Sequence, residues 1–241
     1  MKKYIILIPI YNDRESLTKL IENINSEIKD LNSNISVIVI NDASSQQIID
    51  DYQNTENINS IEIINMKENR GHARCIASGL KYIFKKKEFD YVIPMDGDGE
   101  DRPEEIENFI KLTKQSEDKS IAGERVKRSD SLFFKFCYLL HKLLTLAFTG
   151  QSIRFGNFTC LSKITVEKML NEKATWNSFS GSLKKIEKNL ISIPSIRGTR
   201  YFGPSKMSFF NLLKHSLSII AVFKTTLLIR SILFLAAYFF L

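Results

Sequence analysis

The sequence predicts an α/β protein built on a mostly parallel sheet flanked by helices. Three observations lead to this fold class. Strand-like and helix-like segments alternate through the first half of the chain, the strand-like segments are short apolar runs, and a polar segment follows each of them. Alternation of this kind implies parallel strands joined by right-handed crossovers. The 241 residues are enough for one large domain, or for one domain with an appendage.

Four strands are expected in the first half, over residues 3–8, 35–40, 60–65 and 91–95, which are short apolar runs. Each of these runs is long enough to be a buried strand and too short to be an ordinary helix.

Three helices are expected between and after these strands. Apolar residues recur at the spacing of one helical face over residues 13–31, and residues 71–86 also have a helical pattern. Pro103 with Glu104 and Glu105 behind it is a typical helix start, and it predicts a helix over residues 103–114.

The second half is less regular, and residues 131–148 are apolar on most sides. Two interpretations of this segment remain open. It is either a core helix or a helix that lies in the lipid interface, where flanking basic side chains would meet anionic headgroups. Those flanking residues are Lys127, Arg128, Lys135 and Lys142.

The C-terminal segment predicts two further helices. Residues 208–223 have an amphipathic pattern, and residues 225–241 are almost wholly apolar. Arg230 leaves only residues 231–241 uncharged, which is fewer than the ~20 residues that a bilayer-spanning helix needs. We therefore expect either a transmembrane helix that is cut partway, or an anchor that lies in the membrane plane or is buried between subunits. A homo-oligomer is therefore possible.

The charge pattern indicates an anionic partner. The formal net charge is +7, and the isoelectric point is near 9.2. In residues 212–241 the charged groups are basic and stand among apolar residues, which favours a membrane surface over nucleic acid. We divide the chain into a globular domain over residues 1–207 and a membrane-associated helical segment over residues 208–241.

An acidic stretch follows the fourth predicted strand. Asp96, Asp98 and Glu100 occupy alternate positions, and Gly97 and Gly99 between them allow a sharp turn. The carboxyl ends of strands are where open α/β sheets bind ligands. Hard oxygen ligands at this place suit Mg²⁺ or Mn²⁺ that holds a diphosphate. The alternative is a polar turn with a solvated acidic tip.

Polar segments after the other three strands would meet this stretch at one edge of the sheet. Tyr11 could stack on a base, and Asp42 could accept a hydrogen bond from a base or a ribose hydroxyl. Asp42 could equally be a turn or cap residue, and Tyr11 a surface aromatic residue. We expect His72 to be structural or exposed and assign it no catalytic role.

These segments together resemble the family 2 glycosyltransferases, which have a GT-A (Rossmann-like) fold. The resemblance rests on residues 9–15, 39–44, 69–71 with Ala77 and residues 79–80, and residues 96–101. Further blocks look like the polyprenyl-phosphate glycosyltransferases, the bacterial relatives of dolichol-phosphate mannosyltransferase. These blocks are residues 123–125, Gly150 with residues 156–158, and residues 200–207 before the hydrophobic tail.

The resemblance implies an inverting transfer of a sugar from a UDP- or GDP-sugar to a polyprenyl (undecaprenyl) phosphate, with Mg²⁺ or Mn²⁺ as cofactor. It implies that the nucleotide is bound by Pro9, Tyr11, Glu15, Asp42 and Asp96. It assigns the metal to Asp96, Asp98 and Glu100. It implies that Asp98 is catalytic and that Arg125, Arg200 and Lys206 receive the acceptor phosphate.

Two residues depart from the family pattern. Asn41 stands where the family usually has a first aspartate, and Glu100 stands where these lipid-phosphate enzymes typically have glutamine. The extra charge of Glu100 would alter metal affinity and diphosphate binding. Neither departure removes the pair of Asp96 and Asp98.

Two other functions remain open. One is a family 2 enzyme that acts on a glycan or another hydroxyl acceptor, for which Asp101 or Glu124 would be a poor base. The other is a non-catalytic membrane protein that binds a nucleotide sugar, in which Arg125, Arg200 and Lys206 would be ordinary basic surface. A phosphate acceptor is already ionised at neutral pH and needs no strong base, which suits a sequence without a convincing catalytic histidine.

Nucleotide sugars are made in the cytoplasm, so we expect the protein to lie at the cytoplasmic face of the bacterial inner membrane.

Overall fold

A computed structural model describes residues 1–46, 52, 55–127, 132–203 and 209–240 of the chain. Seven strands lie within these ranges: β1 Lys3–Ile10, β2 Asn34–Asn41, β3 Ile61–Asn65, β4 Tyr91–Pro94, β5 Ile121–Lys127, β6 Phe155–Ser162 and β7 Ile191–Ile196. The helices are α1 Arg14–Glu27, α2 His72–Lys86, α3 Ile106–Gln115, α4 Leu132–Thr149, α5 Lys163–Asn171, α6 Phe179–Ile186, α7 Phe209–Val222 and α8 Lys224–Phe240. Short 3₁₀ turns cover Pro103–Glu105 and Lys173–Trp176.

The strands form one sheet in the order β3-β2-β1-β4-β6-β5-β7. Neighbouring strands are parallel except for β6, which runs antiparallel to both β4 and β5. The carboxyl ends of β1 to β4 therefore lie at one edge, as the sequence predicts. Because β6 runs the other way, its beginning comes to that same edge.

The alternation of side chains along β1 divides the core into two layers. Ile6 and Ile8 pack on the side of α1 and α3, whereas Ile5 and Leu7 pack on the side of α2, α5 and α6. A strand that is covered on both faces is apolar at nearly every position. This burial explains the continuous apolar run in the sequence, and it agrees with the place of β1 as an interior strand between β2 and β4.

The predicted elements of the first half are confirmed to within a few residues at their ends. No strand or helix was expected between α4 and α7, where the structure has β6, α5, α6 and β7. Strand β7 contains Pro194, which is tolerated because β7 pairs only with β5 and is an edge strand. Serine caps were the available signal for the two helices, since Ser162 and Ser178 accept hydrogen bonds from Thr165 N–H and Gly181 N–H.

Helices α4, α7 and α8 contact one another, and α7 also packs against α6. Much of their apolar surface is exposed, which argues against α4 as an enclosed core helix. The exposed apolar residues on these helices are Leu139, Leu140, Leu143, Leu144, Leu146, Phe210, Leu213, Leu217, Leu228, Ile229, Ile232, Leu233, Phe234, Leu235, Tyr238 and Phe239. The expected boundary between residues 207 and 208 lies outside the described residues, so the division into two units stays a prediction.

No single described helix has both the length and the apolar composition for a membrane crossing. Residues Leu213–Val222 and Lys224–Phe239 satisfy that test only as a pair, and their axes are bent by 89°.

Arg230 has a structural role that its place in an apolar helix does not suggest. Its Nη1 donates to the carbonyl oxygens of Ala147 at 2.9 Å and Leu146 at 3.4 Å, in the last turn of α4. A cation at the carboxyl end of a helix satisfies free carbonyl groups and interacts favourably with the helix dipole. Arg230 therefore fixes α8 to the end of α4.

We expect Arg230→Met to lower the free energy of unfolding by about 1 kcal/mol, because the carbonyl groups at the end of α4 lose a charged donor. Urea denaturation of detergent-solubilised protein measures the change. Arg74→Met is the matched control, since Arg74 is exposed on α2 and forms no ion pair in the described part of the chain. Unchanged or increased stability of the Arg230 variant would contradict the capping role.

Candidate active site

The loop after β4 carries the centre of the candidate site. Asp96 Oδ1 lies 3.2 Å from both Asn157 Nδ2, at the beginning of β6, and His72 Nε2, at the beginning of α2. Burial opposes ionisation, but the charges of His72 and Arg125 hold the pKa of Asp96 below its usual range. Asp96 is therefore a carboxylate at neutral pH, and three separate elements hold it in place.

Asp101 closes the same loop from within. Its side chain is 5% exposed, and its Oδ2 accepts a hydrogen bond from Asp96 N–H at 2.9 Å. Burial and the neighbouring charge of Asp96 raise the pKa of Asp101 to about 8, although Arg125, with Nη2 at 3.8 Å from Oδ1, acts in the opposite direction. Its tight burial makes Asp101 a support of the loop and a poor base for a substrate.

The segment after β7 brings two arginines onto the acidic loop. Arg200 Nη1 donates to Asp98 Oδ2 at 2.8 Å, and Arg200 Nη2 contacts Asp13 Oδ2. Arg197 forms an ion pair with Glu100, through Nη2 and Oε2. Burial and Asp96 raise the pKa of Asp98 to about 6, while Arg200 and Arg197 oppose this rise. These arginines offset the repulsion among carboxylates that are crowded at the sheet edge.

Glycine permits the close approach of these two segments. Gly99 has a φ of +87°, and a Cβ atom built there would lie 2.5 Å from the ring of Tyr201. The backbones are also joined directly, since Tyr201 N–H donates to Asp98 O at 2.9 Å and Gly198 N–H donates to Glu100 O at 2.8 Å. A side chain at position 99 would therefore push the arginine-bearing segment away from the loop.

Arg125 approaches the site from β5. Its guanidinium passes over Gly156, where an added Cβ atom would lie 2.8 Å from Nη2. Of the four residues expected to be catalytic, Asp98 and Arg200 are in contact and Arg125 lies near Asp101. Lys206 lies outside the described residues, and its role stays a prediction.

Asp42 is buried and holds the next loop in place. Its two carboxylate oxygens accept hydrogen bonds from Arg70 N–H and Gly71 N–H, each at 2.8 Å. This geometry matches the cap interpretation, and its expected contact with a nucleoside stays a prediction. Asn41 beside it donates to Asn65 Oδ1 at 2.7 Å, so the departure from aspartate is accommodated by an amide pair between strand ends.

The remaining residues expected to bind the nucleotide line the end of β1. Pro9 is buried within the strand, Tyr11 is 47% exposed just after it, and Glu15 is exposed in the first turn of α1. The exposed ring of Tyr11 is available for stacking on a base. Among the described residues, no hydrogen bond joins any of these three side chains to the acidic loop. Their roles stay predictions.

Hard oxygen donors at this edge fit a divalent metal ion. Asp96 and Asp98 are half-buried, and their carboxylates are the ligand type that Mg²⁺ and Mn²⁺ prefer. In the described ranges, no three His, Cys, Asp or Glu side chains are grouped as a metal site would require. Glu100, the third expected ligand, is instead paired with Arg197. The expected metal ligands therefore stay a prediction.

Four residues of the site were not assigned from the sequence: Asp13, His72, Asn157 and Arg197. Asp13 and Asn157 belong to segments that carry the family resemblance, and that resemblance could have been used to predict them as site residues. Nothing in the sequence pattern distinguished Arg197. His72 is exposed, as expected, yet it contacts Asp96.

The sequence model described as glycosyl transferase family 2 matches residues 5–179. The chain belongs to glycosyl transferase family 2. It is 30% identical over 228 residues to the undecaprenyl-phosphate 4-deoxy-4-formamido-L-arabinose transferase of Photorhabdus laumondii, covering 88% of this chain and 65% of that protein. The same-named transferase of Serratia proteamaculans is 29% identical over 239 residues, covering 94% and 69%. The chain thus spans about two thirds of the length of these relatives.

Solved structures share the fold. The glucosyl-3-phosphoglycerate synthase of Mycobacterium tuberculosis, in complex with Mn²⁺, UDP-glucose and phosphoglyceric acid, superposes with a TM-score of 0.64 at 13% identity, over 94% of this chain and 80% of that one. A mannosyltransferase of Pyrobaculum calidifontis in complex with GDP-Man and Mn²⁺ gives a TM-score of 0.56 at 15% identity, over 98% and 75%. The expected GT-A fold is confirmed.

We expect Gly99→Ala to destabilise the protein by about 1–3 kcal/mol more than Gly203→Ala, because only the first change forces a methyl group against a packed ring. Gly203 also has a positive φ, of +66°, but no atom of the described residues lies within 4 Å of an added Cβ atom there. Chemical denaturation of both variants separates the clash from backbone strain. Equal losses in the two variants would show that Tyr201 is not held against the loop.

Proposed function

We propose that the protein is an inverting glycosyltransferase that moves a sugar from a UDP- or GDP-sugar to a polyprenyl phosphate at a membrane surface. One observation carries the proposal: half-buried carboxylates at the carboxyl edge of the sheet face arginines from a segment that is distant in the chain. Such a site has groups for both a metal-bound diphosphate and a second phosphate. The names of the two transferase relatives support the lipid phosphate as acceptor.

The donor side of the site rests on Asp96 and Asp98. These residues would hold the divalent metal, and the Mn²⁺ complexes of the two solved enzymes support this assignment. A bound metal supplies positive charge that stabilises the departing nucleoside diphosphate. His72 and Asn157 fix the orientation of Asp96, and Asp101 fixes the backbone beside it. UDP-glucose and GDP-Man in those complexes support a UDP- or GDP-sugar as donor.

The acceptor side rests on Arg200 and Arg125. Arg200 spans Asp13 and Asp98, so its guanidinium is beside a carboxylate that we assign to the metal, which supports its assignment to the acceptor phosphate. A guanidinium can bind two phosphate oxygens through its planar fork. Lys206, a few residues farther along the chain, would add a point charge.

The surroundings of Asp101 and Glu124, the two bases considered from the sequence, favour a phosphate acceptor over a hydroxyl acceptor. Asp101 is buried against the loop backbone, and Glu124 pairs with Arg154 at 3.2 Å. An ionised phosphate can attack the anomeric carbon without losing a proton. The hydroxyl-acceptor alternative therefore requires a base that neither of these side chains supplies.

The apolar surface of α4, α7 and α8 supports attachment to a membrane, which we place at the cytoplasmic face of the bacterial plasma membrane. Exposed leucine, isoleucine and phenylalanine side chains are concentrated on these three contacting helices, and extended exposed apolar patches mark protein or membrane interaction sites. Attachment there would bring the site to a lipid-linked acceptor and keep it in the compartment of nucleotide sugars.

The proposal is tested by transfer of radiolabelled sugar from a panel of UDP- and GDP-sugars to undecaprenyl phosphate, with Mn²⁺ or Mg²⁺ and then with chelator. We expect metal-dependent label in the organic phase. Asp98→Asn should reduce it by about 100-fold or more, because the charge on the leaving diphosphate is no longer offset. Asp30→Asn, an exposed aspartate after α1, is the control. No labelled lipid from any donor of the panel would contradict the proposed reaction.

We expect Arg200→Lys to lower kcat/KM for undecaprenyl phosphate by about 10-fold to 100-fold, because lysine keeps the charge but loses the fork that binds two oxygens. Slow hydrolysis of the donor should be retained. Arg154→Lys serves as the matched control, since Arg154 is also ion-paired and 61% of its side chain is exposed. Equal losses of lipid transfer and donor hydrolysis would place Arg200 on the donor instead.

A further inference from the structure

A basic cavity lies beside the bend between α7 and α8, away from the residues of the candidate active site. Its volume is about 450 Å³. The end of α6 and the loop behind it line one wall, with Lys184, Lys185 and Lys188. Lys224, the first residue of α8, lines another. None of the acidic or arginine side chains that form the candidate active site lines this cavity.

Most of the positive charge in this cavity is not neutralised. Lys185 pairs with Glu172 at 2.7 Å, and the cavity's own carboxylate, Glu187, pairs with Lys168 at 3.2 Å. Among the described residues, Lys184, Lys188 and Lys224 have neither an ion pair nor a side-chain hydrogen bond. Three ammonium groups around one cavity repel each other, and an anion between them removes that repulsion.

The cavity borders the exposed apolar surface. Val222 and Phe223 are buried at the bend, so the junction of α7 and α8 is fixed to the protein. The exposed apolar run of α8 begins at Leu228, about 6 Å along the helix from Lys224 at 1.5 Å per residue. A basic group at that distance from an apolar surface lies at the depth of lipid headgroups when the apolar surface is in the membrane.

We propose that this cavity binds the phosphate headgroup of an anionic phospholipid of the bilayer. The ammonium groups of Lys184, Lys188 and Lys224 donate to the phosphate oxygens, and the hydroxyl groups of Thr225 and Thr226 at the cavity wall add neutral donors. The proposal rests on the membrane attachment proposed above and adds lipid selectivity to it. Its role is to fix the orientation of the protein on the membrane, separately from binding of the acceptor lipid.

The test is co-sedimentation of the full chain with vesicles of phosphatidylcholine alone and with vesicles that also contain phosphatidylglycerol. We expect tighter binding to the anionic vesicles, and a loss of about five-fold in this preference for each Lys→Gln exchange at positions 184, 188 and 224. Binding to pure phosphatidylcholine should stay unchanged, because the apolar helices are intact.

The matched control is the triple exchange Lys29→Gln, Lys114→Gln and Lys119→Gln. These lysines are exposed, form no ion pair in the described ranges, and lie by α1 and α3 on the other face of the sheet. Because α6, which carries Lys184 and contacts α7, lies on the opposite face of the sheet, the same change in net charge at the control positions should leave the vesicle preference intact.

Three results would overturn the headgroup site. One is an anionic preference that survives all three exchanges in the cavity, and another is an equal loss in the control variant. The third is a combination of two observations: soluble glycerol phosphate raises the Tm of the wild-type protein but not of the cavity variant, and the wild-type protein binds both kinds of vesicle equally. The site would then bind a free phosphate and not a lipid headgroup.

If the triple variant does not fold, the three single-exchange variants are used for the test. Failure of the wild-type protein to bind either vesicle would instead refute the proposed membrane attachment.

Discussion

The site depends on one electrostatic constraint, the crowding of carboxylates at the carboxyl edge of the sheet. Asp13, Asp96, Asp98 and Glu100 come from two strand ends, and burial makes their mutual repulsion stronger than it would be in water. Arginines from the segment after β7 and from β5 offset this repulsion. The ion pairs therefore hold the distant second half of the chain against the loop after β4.

This arrangement joins stability to function. The same ion pairs that hold the two segments together also place the carboxylates and the arginines to which we have assigned the metal and the phosphate. The glycines at positions 99 and 198 let the two backbones meet, so the arginines reach the acids without a long loop. Strand β6 contributes in another way, because its antiparallel direction places Asn157 against Asp96. The local backbone and the charge pattern thus support the same geometry.

The helical segment at the C-terminus follows a different physical rule. Its apolar side chains are only partly covered by the protein, and one of its charged residues, Arg230, has a defined structural partner. Arg230 caps α4 and so removes the apparent conflict of an arginine within an apolar helix. Lys224 stands at the bend, beside the lysines that follow α6. Arg230 therefore marks the contact with α4, and Lys224 marks the bend between α7 and α8.

The sequence by itself determined the parallel half of the fold, because strands buried on both faces are apolar at nearly every position and the polar residues after them must share one edge. Through the family resemblance it also predicted roles for Asp96, Asp98, Arg125 and Arg200, and the structure brings Asp98 and Arg200 into contact. It did not reveal β7 or Arg197, because a short edge strand containing proline has little periodicity. Only the tertiary structure decided that Arg200 contacts Asp13 and Asp98, that His72 contacts Asp96, and that Arg230 caps α4. Those contacts join residues far apart in the chain, and no local pattern specifies which charges will meet once the sheet has formed.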